Sequence, residues 1–501
     1  MKRTASAPPR PGRAARWLAL AGTGALLAAC AADPALGPHE QLPSAADAAQ
    51  RLHLQADASA PAAVSASWWT SYQDPQLNRW IERGLHDSPD LRQAAARLAA
   101  AQAYAATVHA GEGPSLNASA TSVAERVSGT GIFPPPLAGM VGTINDVDLV
   151  GTLELDLFGR LAARSEAARL GAEAAELDRQ LAAIRLAGAI SHAYFELARA
   201  QQARRIAQQI EQSRAGTLEL VRERVRAGLD TQVERRLAEV TVPEIRVEIE
   251  RSEEQITLAR HSLAALAGQA PDAADEVQAQ LPKDTVLAPP PSLPLDLLAR
   301  RADVAAAQRR VQASLKGVAA ARADFYPNVN LSALVGLDSL STQRLFEYNS
   351  RTWQIGPAVH LPIFESGSLR AQLRAASAQT DEAIDAYNSL ILQAAREVAD
   401  TASAIAAVRR QRNQQELATA NALAGSDLAV TRYRAGLGNF LTVLTAQTAV
   451  LAQQRAQVDL DARAAALDVN LALALGGGFR DAPAPGDGAT AAPRAAVPTA
   501  P

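Results

Sequence analysis

Val225-Arg226-Ala227-Gly228-Leu229 is written a second time, about 210 residues on, as Tyr433-Arg434-Ala435-Gly436-Leu437. Forty residues after the glycine of each copy comes another glycine, Gly268 and Gly476. The match extends upstream. Asp90 and Pro114 are 24 residues apart, as are Asp303 and Pro327. Each proline opens a polar, alternating run: Pro114-Ser115-Leu116-Asn117-Ala118-Ser119-Ala120, then Pro327-Asn328-Val329-Asn330-Leu331-Ser332-Ala333. Three matched spacings in one order indicate an internal duplication, so the chain reads as two copies of one unit.

Residues 160–227 and 366–435 contain no proline and are rich in Ala, Leu, Arg, Gln and Glu. Each predicts one helix of roughly 100 Å at 1.5 Å rise per residue. No globule holds such a helix without a coiled-coil or barrel setting. Arg-Ala-Gly-Leu ends both, with glycine as the left-handed cap. A return helix is predicted over 229–267 and 437–475, and a shorter one before each proline, over 90–113 and 303–326. The two shorter helices laid end to end nearly match one long helix. That is the geometry of a cylinder wall.

Strand pairs fall between the short and long helices, at about 115–128 and 146–158, then 328–337 and 352–364. In the second strand Val147, Leu149, Gly151, Leu153, Leu155 and Leu157 alternate with Asp146, Asp148, Thr152, Glu154 and Asp156. In the fourth, Trp353, Ile355, Val359 and Leu361 alternate with Thr352, Gln354 and His360. The first and third alternate more weakly. Period-2 runs of about ten residues are the pattern of transmembrane barrel strands. They also suit a soluble sandwich with one buried face. Four strands cannot close a conducting barrel, but an oligomer can.

The first 29 residues read as a processing segment. Lys2, Arg3, Arg10, Arg13 and Arg16 precede a short apolar run from Trp17 to Leu27, then Leu27-Ala28-Ala29-Cys30. This resembles the lipobox of bacterial lipoproteins, which implies cleavage before Cys30 and a covalent lipid on it. An ordinary signal peptide with a chance cysteine is the plainer alternative. The position of the chain's one cysteine at the cleavage point favours the lipobox. A single cysteine also leaves no disulfide framework within the chain. The organisation expected is 30–67 as a tether, 68–268 as the first repeat, 269–291 as a linker, 292–479 as the second repeat and 480–501 as a disordered tail.

Net charge is −3, and removal of the five basic residues before Cys30 leaves −8. A nucleic-acid partner is disfavoured, because no basic face is available for phosphates. No segment after Cys30 offers 18 uninterrupted apolar residues, so any membrane crossing falls to strands. His39, His53, His86, His109, His192, His261 and His360 show no metal spacing, and no nucleophile elbow or phosphate loop is present. Tyr194-Phe195 reads as packing within the long helix. A non-enzymatic protein without metal or other cofactor is expected.

The motifs resemble the outer membrane efflux proteins of the TolC/OprM/NodT group, in the lipoprotein branch. They are Trp68-Trp69-Thr70-Ser71-Tyr72-Gln73-Asp74-Pro75-Gln76-Leu77, Leu153-Glu154-Leu155-Asp156-Leu157-Phe158-Gly159-Arg160 and Leu297-Leu298-Ala299-Arg300-Arg301-Ala302-Asp303-Val304. Phe325-Tyr326-Pro327, Glu397-Val398-Ala399-Asp400 and Ala474-Leu475-Gly476-Gly477-Gly478 follow in the same order. The resemblance implies an α+β fold with a long periplasmic α-helical barrel. It also implies a homotrimer whose chains give four strands each to a twelve-stranded outer-membrane barrel. The function implied is the exit duct of a tripartite pump. Its partners would be a periplasmic adaptor, outer-membrane lipid and an inner-membrane transporter of proton-driven resistance, facilitator or aromatic-acid exporter type. Arg226, Gly228, Leu229, Arg434, Gly436 and Leu437 would form the adaptor-facing tips, and Asp146, Asp148, Glu154 and Asp156 would face the lumen. Relatives carry Leu-Asp-Ala-Gln-Arg where this chain has Leu444-Thr445-Ala446-Gln447-Thr448, so both charges of that motif are absent. A lipid-anchored scaffold or adhesion protein without a channel is the competing class.

The lipobox reading has a direct test. Cys30→Ser should leave an unprocessed, larger precursor that takes up no labelled acyl chain, while wild type is shortened and labelled. A variant processed to the mature size would overturn it.

Overall fold

The computed structural model describes residue 38 and residues 64–283 and 301–479. The processing segment, Cys30, most of the tether, residues 284–300 (the last third of the linker and the start of the second repeat, with Leu297-Leu298-Ala299-Arg300 of its motif) and the tail lie outside the described residues. Eleven longer elements run in the order α1 Pro75–Asp87, α2 Pro89–Ala110, β1 Ser115–Arg126, β2 Val141–Leu155, α3 Arg160–Arg226 and α4 Gln232–Leu266, then α5 Ala302–Ala323, β3 Asn328–Ser339, β4 Arg351–His360, α6 Ser366–Arg434 and α7 Phe440–Ala474. From α2 to α4 and from α5 to α7 the same order repeats: short helix, two strands, long helix, return helix. No helix among the described residues is long and apolar enough to cross a membrane.

Two compact units share these elements. Among the longer described segments, unit 1 takes 97–176 and 306–388, and unit 2 takes 64–96, 177–283, 301–305 and 389–479. Unit 1 holds one antiparallel sheet in the order β1-β2-β3-β4. The register is continuous, with Ala118 opposite Leu149, Leu149 opposite Val335, and Val335 opposite Trp353. β1 and β4 are edges.

The strands differ at their ends from the sequence expectation, for local reasons. β2 starts five residues earlier than expected and stops at Leu155, because Asp156 leaves the ladder and accepts the Ala162 N–H at 2.8 Å. β4 stops at His360, not residue 364; Pro362 has no N–H to give a ladder. The return helices begin at Gln232 and Phe440, three residues late in each case, because the residues after each glycine are taken up by the two caps of the turn.

Unit 2 is built on the tryptophan segment. Trp68 and Trp69 form a 3₁₀ turn, and Asp74 caps α1 by accepting from Gln76 N at 2.8 Å and Leu77 N at 3.2 Å, with Pro75 at the first helical position. α1 was not expected as a separate helix. It buries Leu77, Trp80 and Ile81 against Ile190, Tyr194 and Leu197 of α3 and Leu263 of α4. Tyr194 and Phe195 are therefore core residues, and the Tyr194 hydroxyl donates to Asp74 at 2.6 Å. The first half of the expected linker also belongs to this core. Gln201 donates to Val277 O at 2.7 Å and accepts from Ala279 N at 2.9 Å, clamping buried Val277 and Ala279.

The last described residues pack on the first, since a side chain at Gly478 would collide with the backbone of Ser65 and Ala66. Nearby, buried Arg301 forks onto Asp303 (Nε at 3.0 Å, Nη2 at 2.7 Å). Its Nη1 reaches Glu397 of α6 at 2.8 Å and the Ala474 carbonyl at the end of α7 at 3.4 Å. Burial pushes the Asp303 carboxyl up, but the hydrogen bonds and charge of Arg301 outweigh it and hold the group below the usual carboxylate range. Breaking one side of such a pair strands a charge. Asp303→Ala should lower unfolding stability by about 3–5 kcal/mol, and Arg301→Met combined with Asp303→Leu should cost less than that. Thermal unfolding in detergent checks both.

Candidate channel wall and hairpin tips

Cross-strand partners share a face of a sheet, so the register sorts the side chains of unit 1. One face carries Leu116, Leu149, Val335, Trp353, Ile355 and Val359, all exposed. The other carries Ser119, Thr121, Asp146, Asp148, Asn330 and Gln354. The apolar face is thus open, although the polar face is also largely exposed.

The four acids expected on one wall separate into two groups. Asp146 and Asp148 sit on the polar face, half-buried. Asp338 of β3 stands directly opposite Asp146, and Asp148 lies over Gly336, where a side chain would collide with its carboxylate. Glu154 shares this face but accepts from Arg160, which also reaches Asp324 at 3.8 Å. Asp156 is outside the strand and caps α3. Glu154 and Asp156 thus have partners of their own, and Asp338 shares the face of Asp146, Asp148 and Glu154. Asp338 was missed because strand β3 was read as ending one residue before it.

In unit 2 the two helix hairpins have the same cap. Gly228 and Gly436 both have φ +73°, a left-handed backbone that L side chains resist. Gly228 N donates to Val225 O at 3.1 Å and Leu229 N to Arg224 O at 2.8 Å; Gly436 N donates to Tyr433 O at 3.0 Å and Leu437 N to Arg432 O at 2.8 Å. This is a Schellman closure in both copies. Leu229 and Leu437 point outward and are well exposed, as are Val233 and Leu441 one turn on. Arg226 is exposed and bonds only weakly back to Arg222 O, at 3.4 Å, and Arg434 is exposed. The re-entry caps differ: Thr231 forms a capping box with Glu234, and Asn439 accepts from Thr442 N at 3.0 Å.

The two hairpins are joined by a contact the sequence did not reveal. The Asp230 carboxylate accepts from Arg224 Nε at 2.8 Å and from the Tyr433 hydroxyl. Tyr433 is fully buried, and the Arg224 guanidinium lies 4.6 Å from its ring centre. Around it Val221, Ala238, Val242, Phe440 and Val443 form a small core. Burial raises Asp230, yet the bonds from Arg224 and Tyr433 and the guanidinium charge prevail and leave its pKa lowered. Burial first, then the bond to Asp230, raises Tyr433. Thr445 and Thr448 are exposed and turn their hydroxyls onto Leu441 O at 2.9 Å and Leu444 O at 2.8 Å. Among the described residues no group of three or more His, Cys, Asp and Glu side chains could hold a metal.

The sequence matches the outer membrane efflux protein family over residues 80–269 and 293–477, one match in each half. The chain belongs to that family. Among its relatives in the efflux protein family, the multidrug resistance outer membrane protein MdtP of Escherichia coli K12 is 31% identical over 456 residues, covering 89% of this chain and 92% of MdtP. The fusaric acid resistance protein FusA of Burkholderia cepacia is 36% identical over 319 residues, 63% of this chain; the match spans 60% of FusA. The crystal structure of the outer membrane protein VceC of Vibrio cholerae superposes with a TM-score of 0.78 at 35% identity, over 83% of this chain and all of VceC.

Tyr433→Phe should loosen the hairpins by about 1.5–3 kcal/mol, the usual range for a hydrogen bond to a charged group. Hydrogen exchange over 224–234 and 431–442 measures this. The sign with pH follows from the lowered Asp230. Its contribution is complete above the unfolded carboxylate value of about 3.9 and is lost as pH falls through the lower folded value. Protection should therefore hold at neutral pH and fade below about pH 4, with Asp230→Asn showing the acid behaviour throughout.

Proposed function

We propose that this efflux family protein is the outer-membrane exit channel of a drug-extruding assembly, passive in itself and driven by a transporter elsewhere. One observation carries the reading: a four-stranded sheet with one exposed apolar face and one polar face, and two unpaired edges. In water such a face is a liability; in hydrocarbon it is a wall. Edge strands in lipid must be paired, so further copies must complete the ring. Three copies supply twelve strands, the stoichiometry that the family resemblance implies.

The remaining parts follow from that reading. The Cys30 lipid anchors the chain at the outer membrane. The hairpin tips meet a periplasmic adaptor through Leu229 and Leu437, flanked by Arg226 and Arg434. The adaptor links the channel to an inner-membrane transporter of proton-driven resistance, facilitator or aromatic-acid exporter type. The names of MdtP and FusA concern multidrug and fusaric acid resistance, which favours small organic toxicants as the cargo. A scaffold without a channel would not need an apolar sheet face turned away from its own protein.

Asp146, Asp148 and Asp338 would place carboxylates from every copy on the lumen side. Purified protein in a planar bilayer should conduct and prefer cations in dilute salt. The preference should shrink at high salt, since the screening length falls from about 10 Å at 0.1 M to about 3 Å at 1 M. Replacing the three aspartates by asparagine should abolish it, whereas Glu154→Gln should matter little because Arg160 already neutralises that acid. Absence of conductance would favour the scaffold, and anion selectivity would put the polar face outside.

A further inference from the structure

The loop joining β3 to β4 is folded into a compact structure. Thr342–Arg344 and Tyr348–Ser350 are 3₁₀ turns, the Ser350 hydroxyl donates to Arg344 O at 2.8 Å, and Leu345 is buried. Its position is fixed by Asn145, the most buried residue of β2. The Asn145 side chain donates to Ser339 O at 3.2 Å and accepts from Thr342 Oγ1 at 3.3 Å and Ser122 Oγ at 2.8 Å. Asn145 lies two residues from Val147 in an unbroken register, so it shares the apolar face. The loop is therefore tied to the apolar side of the rim and away from the polar side.

That placement decides what the loop can meet. Phe346 and Tyr348 are largely exposed, and Trp353 is exposed on the first turn of the apolar band. Arg351 starts β4 opposite Leu337, hence on the apolar face, and its guanidinium lies 4.5 Å from the Tyr348 ring centre. Arg344 is exposed within the loop. Apart from that stack, neither arginine is in an ion pair among the described residues. Glu347 is the single carboxylate of residues 340–351, against two arginines. A stacked guanidinium keeps its N–H edge available and is held in place for a bidentate anion.

We infer that this rim is a binding site for the phosphate group of an outer-leaflet glycolipid, with Arg344 and Arg351 on the phosphate and Tyr348, Phe346 and Trp353 against its sugar and upper acyl region. The proposal rests on the channel reading, which puts the apolar face in lipid and the β3–β4 loop at the outer surface. Charge and position favour a lipid over a free anion. Aromatic rings at an interface anchor amphiphiles, and arginines directly above an apolar band meet headgroups.

The test uses the full-length protein purified in nonionic detergent, with diphosphoryl lipid A as the probe. Monophosphoryl lipid A and inorganic phosphate are the comparisons. Wild type should bind the diphosphoryl form more tightly than the monophosphoryl form. Arg344→Gln with Arg351→Gln should weaken binding by about thirtyfold, and Arg344→Gln alone by about fivefold. Millimolar inorganic phosphate should not displace the lipid. Equal affinity in wild type and variants would overturn the proposal, as would displacement by inorganic phosphate, which would mark a free-anion site. Bilayer conductance of the same preparations separates the two readings. Intact conductance with unaltered lipid binding sinks only this inference, whereas absent conductance in wild type sinks the channel.

Discussion

Backbone amides cannot be left unpaired in hydrocarbon, and this constraint governs everything in unit 1. A soluble protein can leave a short sheet edge in water at little cost. A sheet with Leu149, Val335, Trp353 and Ile355 exposed on one face cannot stay in water, and once in lipid it cannot keep β1 and β4 as edges. The oligomer is thus a consequence of hydrogen bonding. In the proposed channel, the polar face with Asp146, Asp148 and Asp338 would become the lining by the same step.

The hairpin tips obey a different rule. Each reversal uses a left-handed glycine, and the two copies agree at φ +73°. The copies diverge just beyond, at Asp230-Thr231 in the first and Gly438-Asn439 in the second. Duplication kept the turn, while divergence gave Asp230 to one side and Tyr433 to the other. The resulting link therefore runs in one direction only between the two repeats.

Much of the architecture was legible in the sequence because it follows local periodicity. Long proline-free stretches gave α3 and α6 almost to the residue, and period-2 alternation gave the strands and their faces. Helix α1 was equally legible in principle, since Asp74-Pro75 is a cap followed by a first helical residue. Partnerships were not legible. Nothing local says that Glu154 meets Arg160 rather than a lumen, or that Asp230 meets a tyrosine 203 residues later. The first half of the linker looked structureless because it has no period. Its order comes from Gln201, a side chain on another element. Side-chain pairing depends on the assembled fold, and a single sequence carries it only weakly.

The meeting of Gly478 with Ser65 and Ala66, beside the contact of Arg301 with the Ala474 carbonyl, bears on the order of events during synthesis. Unit 2 takes residues 64–96 and 389–479, with the strands of unit 1 drawn from between them. Arg301 can hold Asp303 and Glu397 earlier, but the Ala474 carbonyl completes its set of acceptors only when residue 474 exists, and Ala465, Val469 and Ala472 join the tryptophan core as late. A chain still being made therefore lacks the closing contacts of unit 2. Contacts of such long sequence separation form late, so the final packing of unit 2 waits for the end of the described chain.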